Sequence, residues 1–177
     1  MITSAERVIE VNNASPQESA NRAYGLAEGA SNTKSTNGAG VPSTQSSVVL
    51  RVATLHDLAS LQHIEQTCFT TDRLGKSRFK FYIDAQHAEL IVAEREPSTS
   101  SSNLDKNKPS VNSIVGYGLL LLRRGTQLTR LYSIAVLPEA RGLGVAEKLI
   151  NSLGERALLR GKRFMRLEVA VGNAGAI

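Results

Sequence analysis

Arg141-Gly142-Leu143-Gly144-Val145-Ala146 is the stretch on which the reading of this chain turns. It stands between a β-rich run ended by Pro138 and a helical pattern that continues to Arg160. The two glycines let a backbone approach a ligand closely. The helix start that follows offers unpaired N–H groups at the positive end of a dipole, and Arg141 adds a charge-assisted contact. This combination suits a phosphate-bearing ligand. A P-loop would end in Gly-Lys-Ser/Thr, which is absent. A dinucleotide fingerprint needs a third glycine where Glu147 stands, and an acidic residue at the end of the next strand, whereas Glu168 falls in mid-strand. A glycine-rich tight turn without a ligand is the bland alternative.

Upstream of the loop, Leu128 to Val136 and Ile114 to Leu122 read as strands joined by the turn Arg123-Arg124-Gly125-Thr126, an antiparallel hairpin. Glu89 to Ala93 and Val48 to Val52 read as two further strands. Between them, Thr54 has the position of a helix N-cap with Asp57 three residues on, in capping-box fashion. Leu58, Leu61, Ile64 and Cys68 then repeat at helical spacing, and a second short helix covers Lys76 to Ala85. Downstream, the helix over 142–160 should bury Ala146, Leu149, Ile150, Leu153 and Ala157, with Gly161 as its stop. Phe164 to Val171 alternates as a last strand. The order β-α-α-β-β-β-α-β implies an α+β fold with a mixed sheet.

The remainder is organised by composition. Residues 1–46 are rich in Ser, Asn, Ala, Gly and Thr without apolar periodicity, so disorder is expected there. Folded structure is expected over 47–177. A polar segment at about 97–113 should form a long loop between two strands. The 177 residues carry a net charge of +5, but the basic residues are scattered and no aromatic ladder accompanies them, which argues against nucleic acid and for a polyanionic small ligand. The single cysteine, Cys68, excludes an internal disulfide framework, and three histidines are too sparse for a metal site. No apolar run reaches membrane-spanning length and no secretory signal is visible, so a cytoplasmic location follows by default.

With its flanks in register, the loop resembles the pyrophosphate-binding motif of the GNAT acetyltransferases, Arg/Gln-x-x-Gly-x-Gly/Ala, matched by Arg141, Gly144 and Ala146. Leu131 to Pro138 looks like that family's fourth strand. Leu167-Glu168-Val169 followed by Asn173-Ala174 looks like its fifth strand and next helix start. The resemblance covers roughly 48–177. Within the family the chain is most similar to ribosomal-protein alanine N-acetyltransferases, and Phe69 to Leu74 also resembles GNAT domains fused to a C-terminal cysteine-peptidase-like domain. The resemblance implies a mostly antiparallel mixed GNAT sheet that lacks its last helix and strands here. The helix carrying a Leu-Tyr pair, whose Tyr serves as general acid, would fall beyond Ile177.

What the resemblance implies for chemistry is acetyl transfer from acetyl-CoA to an amine, a protein N-terminus among the acceptors, with no metal. Backbone groups of Ile134, Ala135 and Val136 would hold the pantetheine arm and the thioester oxygen. Arg141, Gly142, Leu143, Gly144, Val145 and Ala146 would hold the pyrophosphate. Asn173 would contact the cofactor, or simply cap a helix. Tyr132 and Ser133 are the polar residues nearest the expected reaction centre, with packing as the plainer role for Tyr132. Glu168 is the candidate base, acting through water; an ion pair with Arg166 or Arg130 is its alternative role. A non-catalytic CoA-binding or scaffold remnant of a truncated enzyme is the rival to the enzyme.

Overall fold

Alternating apolar positions and tight turns make the centre of this chain a sheet. In the computed structural model, which describes residues 4–11, 47–96 and 113–170, that sheet has six strands. They are β1 (Ser4–Glu10), β2 (Val48–Val52), β3 (Ala88–Arg95), β4 (Ile114–Leu122), β5 (Leu128–Val136) and β6 (Phe164–Ala170), in the spatial order β1-β6-β5-β4-β3-β2. Every neighbouring pair is antiparallel except β5 and β6. A parallel pair needs a crossover. The crossover is helix α3 (Val145–Leu159), on the opposite face from α1 (Leu58–Cys68) and α2 (Lys76–Asp84).

Two apolar layers result. Leu61, Ile64 and Phe79 pack with Tyr117 and Leu119 on the α1–α2 face. Leu149, Leu153 and Ala157 pack with Ile91, Val115 and Met165 on the α3 face. Strand β4 is covered from both sides, which accounts for its nearly unbroken apolar run. The Thr54/Asp57 capping box is present, with the Thr54 N–H donating to Asp57 Oδ2 at 2.7 Å, although the turn it opens is 3₁₀ before α1 begins.

Three expectations need correction. Strand β1 lies inside the stretch 1–46 expected to be disordered. It pairs with β6 from Ser4↔Ala170 to Glu10↔Phe164, so the outer edge of β6 is not left bare. With Val8 and Ile9 as its only large apolar residues, this short polar strand has too little pattern of its own to be recognised. Ladder bonds to an existing edge specify it. Residue Val11 continues the contact: its N–H donates to the Arg163 carbonyl at 2.7 Å, and its side chain packs where Gly154 of α3 has no Cβ. Second, Ala146 is exposed in the first turn of α3 rather than on the buried stripe, and Val145 is buried instead. Third, the helix expected over 142–160 begins at Val145, because Gly142 and Gly144 take left-handed φ. Helix α1 also buries Glu65 alongside Leu61 and Ile64. The stretches 12–46 and 97–112 fall outside the described residues.

Several basic residues have structural work. Arg156 of α3 and Arg160, the residue that caps it, pair with the mostly buried Glu89 at 3.2 and 2.8 Å. Lys162 Nζ donates to the carbonyls of Arg123 and Thr126, both at 2.7 Å, and so ties the β4–β5 turn to the entry of β6.

Candidate active site

The site forms where two neighbouring strands part. Strands β5 and β6 are paired only from Leu128↔Phe164 to Leu131↔Leu167. Beyond that rung β5 runs on through Tyr132 to Val136 beside β4, while Glu168 to Ala170 stay with β1. The fork therefore exposes one backbone edge of β5. Its polarity follows from the ladder. The Leu137 N–H donates to the Val115 carbonyl at 2.8 Å, and antiparallel pairs alternate, so the Ala135 backbone also faces β4. The N–H groups of Ile134 and Val136 point into the fork. Of the three residues expected to supply backbone contacts, Ile134 and Val136 turn their N–H groups toward the fork and Ala135 turns its own toward β4.

A register shift between Leu119 and Leu120 leaves Tyr132 as the extra residue of β5. A bulge of this kind puts two successive side chains on one face. Tyr132 packs against the α1–α2 layer, and Ser133 reaches the Tyr117 hydroxyl on that same face at 2.7 Å. Tyr132 is a packing residue with a wet tip: its ring lies 5.9 Å from that of Tyr82, and Arg78 donates to its hydroxyl at 2.8 Å.

The loop Arg141–Gly144 leads from β5 into α3. Gly142 and Gly144 have φ of 74° and 70°, the left-handed region that disfavours a Cβ. A Cβ built on either would meet no protein atom within 4 Å, so the space beside both glycines is open. The first helical bond runs from the Lys148 N–H to the Gly144 carbonyl at 3.1 Å, which leaves the N–H groups of Val145, Ala146 and Glu147 without intrahelical partners. The exposed Leu143 and Arg141 border this cradle. Arg141 Nε donates to the Val136 carbonyl at 3.3 Å, and the Cys68 thiol donates to the same oxygen at 3.5 Å, so both lie where cradle and fork meet. Burial pushes the Cys68 thiol up despite the nearby Arg141 guanidinium, which keeps it protonated.

Glu168 follows the last β5–β6 rung directly. Arg130 holds one of its oxygens at 2.9 Å and Arg166 the other at 3.1 Å, so both ion pairs foreseen as its alternative role are formed. Asn173 lies outside the described residues. Sequence reasoning missed a buried hydrogen-bonded group beside the fork. The Tyr117 O–H donates to Glu65 Oε1, and the Leu74 N–H donates to Oε2 at 2.7 Å. Glu65 follows Ile64 at the i+4 position from Leu61, so a carboxylate on the flank of an apolar helical stripe was the available signal. Burial, and then the bond to Glu65, pushes the Tyr117 phenol well above the usual range.

Among the described residues no cluster of metal-ligating side chains and no helix long and apolar enough to cross a membrane is found. Against curated proteins the chain has no match. Solved structures share its fold. The ribosomal-protein alanine N-acetyltransferase of Escherichia coli superposes with TM-score 0.56 at 18% identity, over 73% of this chain and 72% of that one. The aminoglycoside 6'-N-acetyltransferase of Acinetobacter baumannii gives 0.56 at 16%, over 73% and 84%. A PaiA N-acetyltransferase from Thermoplasma acidophilum, in complex with coenzyme A, gives 0.58 at 13%, over 73% and 84%. The profile of the acetyltransferase (GNAT) family matches residues 58–177, and with the forked sheet and glycine loop in place the chain belongs to that family.

Proposed function

We propose that the protein transfers the acetyl group of acetyl-CoA to an amine, with protein N-terminal amines among its acceptors. The observation that carries this reading is the continuity of the open β5 edge with the glycine cradle at the start of α3. An extended chain lying in the fork can pair with the backbone of Ile134 and Val136 as an added strand. A diphosphate at its far end then meets the free N–H groups of the first helical turn and the Arg141 guanidinium. Gly142, Leu143 and Gly144 shape the cradle, and Val145 and Ala146 supply N–H groups. The acetyl-CoA thioester supplies the activated acyl group. An inward N–H of β5 is suitably placed to receive its carbonyl oxygen. Glu168 is proposed to take a proton from the incoming ammonium through a water at the fork apex. Asn173 is proposed as a further contact to the cofactor.

Isothermal titration of acetyl-CoA onto the chain, followed by detection of released thiol with peptide and aminoglycoside amines, tests this. Saturable binding with amine-dependent thiol release is expected. Binding without release from any amine would favour a non-catalytic CoA-binding protein, and absence of binding would reject both.

A further inference from the structure

The buried group behind β5 has a defined hydrogen-bond direction. Glu65 is 2% exposed, and both its oxygens are occupied, one by the Leu74 N–H and one by the Tyr117 O–H. Both oxygens accept: the Leu74 N–H can only donate, and the Tyr117 O–H donates to Oε1. Tyr117 therefore directs its single proton at Glu65 and offers only a lone pair to Ser133, 2.7 Å away. The Ser133 O–H must then donate to Tyr117, and what Ser133 Oγ has left is lone pairs.

Of the three residues, Ser133 alone is partly open: Tyr117 is 0% exposed, whereas Ser133 lies half-buried on the forked part of β5. It stands between the bulge at Tyr132 and the inward-facing N–H of Ile134. The other titratable group close to the buried pair is Cys68, on the same helix as Glu65, with Arg141 and Glu139 beyond it. Among the described residues no Lys, Arg or His forms an ion pair with Glu65. The hydrogen-bonded chain from Glu65 through Tyr117 thus ends at Ser133.

We infer that Ser133 Oγ is the seat of the acceptor's ammonium group, kept acceptor-only by Tyr117 and Glu65. This rests on the transferase reading given above. A hydroxyl restricted to accepting selects an N–H donor, most strongly one that bears positive charge, and disfavours a carbonyl or carboxylate at that point. The seat binds the amine before it loses its proton. Ser133 touches the substrate, whereas Tyr117 and Glu65 act through it as positioning residues.

The test uses the full chain with Ser133→Ala, Ser133→Thr and Tyr117→Phe, an alanine-initiated hexapeptide and an aminoglycoside as amines, and acetyl-CoA. Ser133→Ala should raise KM for the amine about tenfold or more, the scale of one charge-assisted hydrogen bond, and lower kcat less than it raises KM. Acetyl-CoA affinity should stay within about twofold of the original. Ser133→Thr should restore KM, and Tyr117→Phe should reproduce the rise. Unchanged KM in Ser133→Ala, or a matching loss of acetyl-CoA affinity, overturns the seat. Calorimetric titration of the same amines onto the CoA complex separates this from failure of the transferase reading. If the native chain releases no thiol, amine binding that Ser133→Ala weakens supports the seat, and amine binding indifferent to Ser133 removes it.

Discussion

Arg130 and Glu168 meet at 2.9 Å across the fork, one residue past the last rung that joins β5 to β6. With Arg166 on its second oxygen, the carboxylate is fixed at the point where the two strands part. Its side chain is 31% exposed, so water reaches it.

That placement gives the first prediction. Glu168→Gln should lower turnover about a hundredfold or more, the usual scale for loss of a general base, and leave acetyl-CoA affinity unchanged. The ion pairs are too exposed to carry much stability, about 0–1 kcal/mol, so the melting temperature should move little. Parallel steady-state kinetics and thermal melts check it. Retained turnover with an earlier melt would make Glu168 a structural residue.

The cradle gives the second. Gly144 sits at φ 70° with open space around its missing Cβ. Gly144→Val should therefore cost about 1–2 kcal/mol through backbone strain alone and still leave a folded protein. If the concave side of the loop holds the diphosphate, acetyl-CoA affinity should fall well beyond that strain, by about a hundredfold as several N–H contacts are displaced together. Calorimetry on the two proteins decides it, and equal affinity would remove the loop from the site.

A third prediction separates two glycines of β4. A Cβ at Gly116 would lie 2.8 Å from the Ala135 carbonyl oxygen, whereas one at Gly118 would lie 2.8 Å from the end of the Leu153 side chain. Backbone in a ladder cannot yield, but a leucine tip can rotate. Gly116→Ala should destabilise by about 1–3 kcal/mol, and Gly118→Ala by clearly less. Denaturant melts of both variants give the comparison, and an inverted order would refute the packing argument.

The fourth concerns acid. Arg51 bridges Asp57 at 2.8 Å and Glu94 at 2.7 Å. Burial acts to raise the Asp57 carboxyl, but bonds from Arg51 and Thr54 outweigh it and hold the group below its usual range. The Ser113 hydroxyl, then Arg51, lower Glu94 likewise. A carboxyl depressed on folding contributes stability that is complete above its unfolded value, about 4, and is lost as pH falls through the folded one. Melting temperature should be level with respect to these groups from pH 8 to about 5, then fall below about pH 4. Arg51→Met should lower the neutral-pH melt and flatten that decline; an unchanged acid slope would show that the bridge is not responsible.

The sequence was most legible where local rules act alone. The capping box at Thr54 and Asp57, the apolar stripe of α1 and the turn glycines each depend on residues a few positions apart. The loop from Arg141 to Ala146 could be read for the same reason, because positive φ and a helix start leave a local signature. Ala146 was misplaced, since the first turn of a helix can leave its stripe uncovered even where the periodicity continues.

Read by itself, the sequence determined the α+β class, the five strands from Val48 onward, and the glycine loop. Periodicity and turn chemistry are properties of neighbouring residues, and they survive without a partner. The tertiary structure decided what needs two distant segments at once. Ser4–Glu10 becomes a strand only because β6 offers it an edge. Ile134 and Val136 face the fork, and Ala135 does not, because the ladder with β4 sets the alternation. Glu65 of α1, Tyr117 of β4 and Ser133 of β5 form one hydrogen-bonded chain only after packing brings them together. Hydrogen bonds across such separations have no local sequence pattern, because their geometry exists only once the layers have closed.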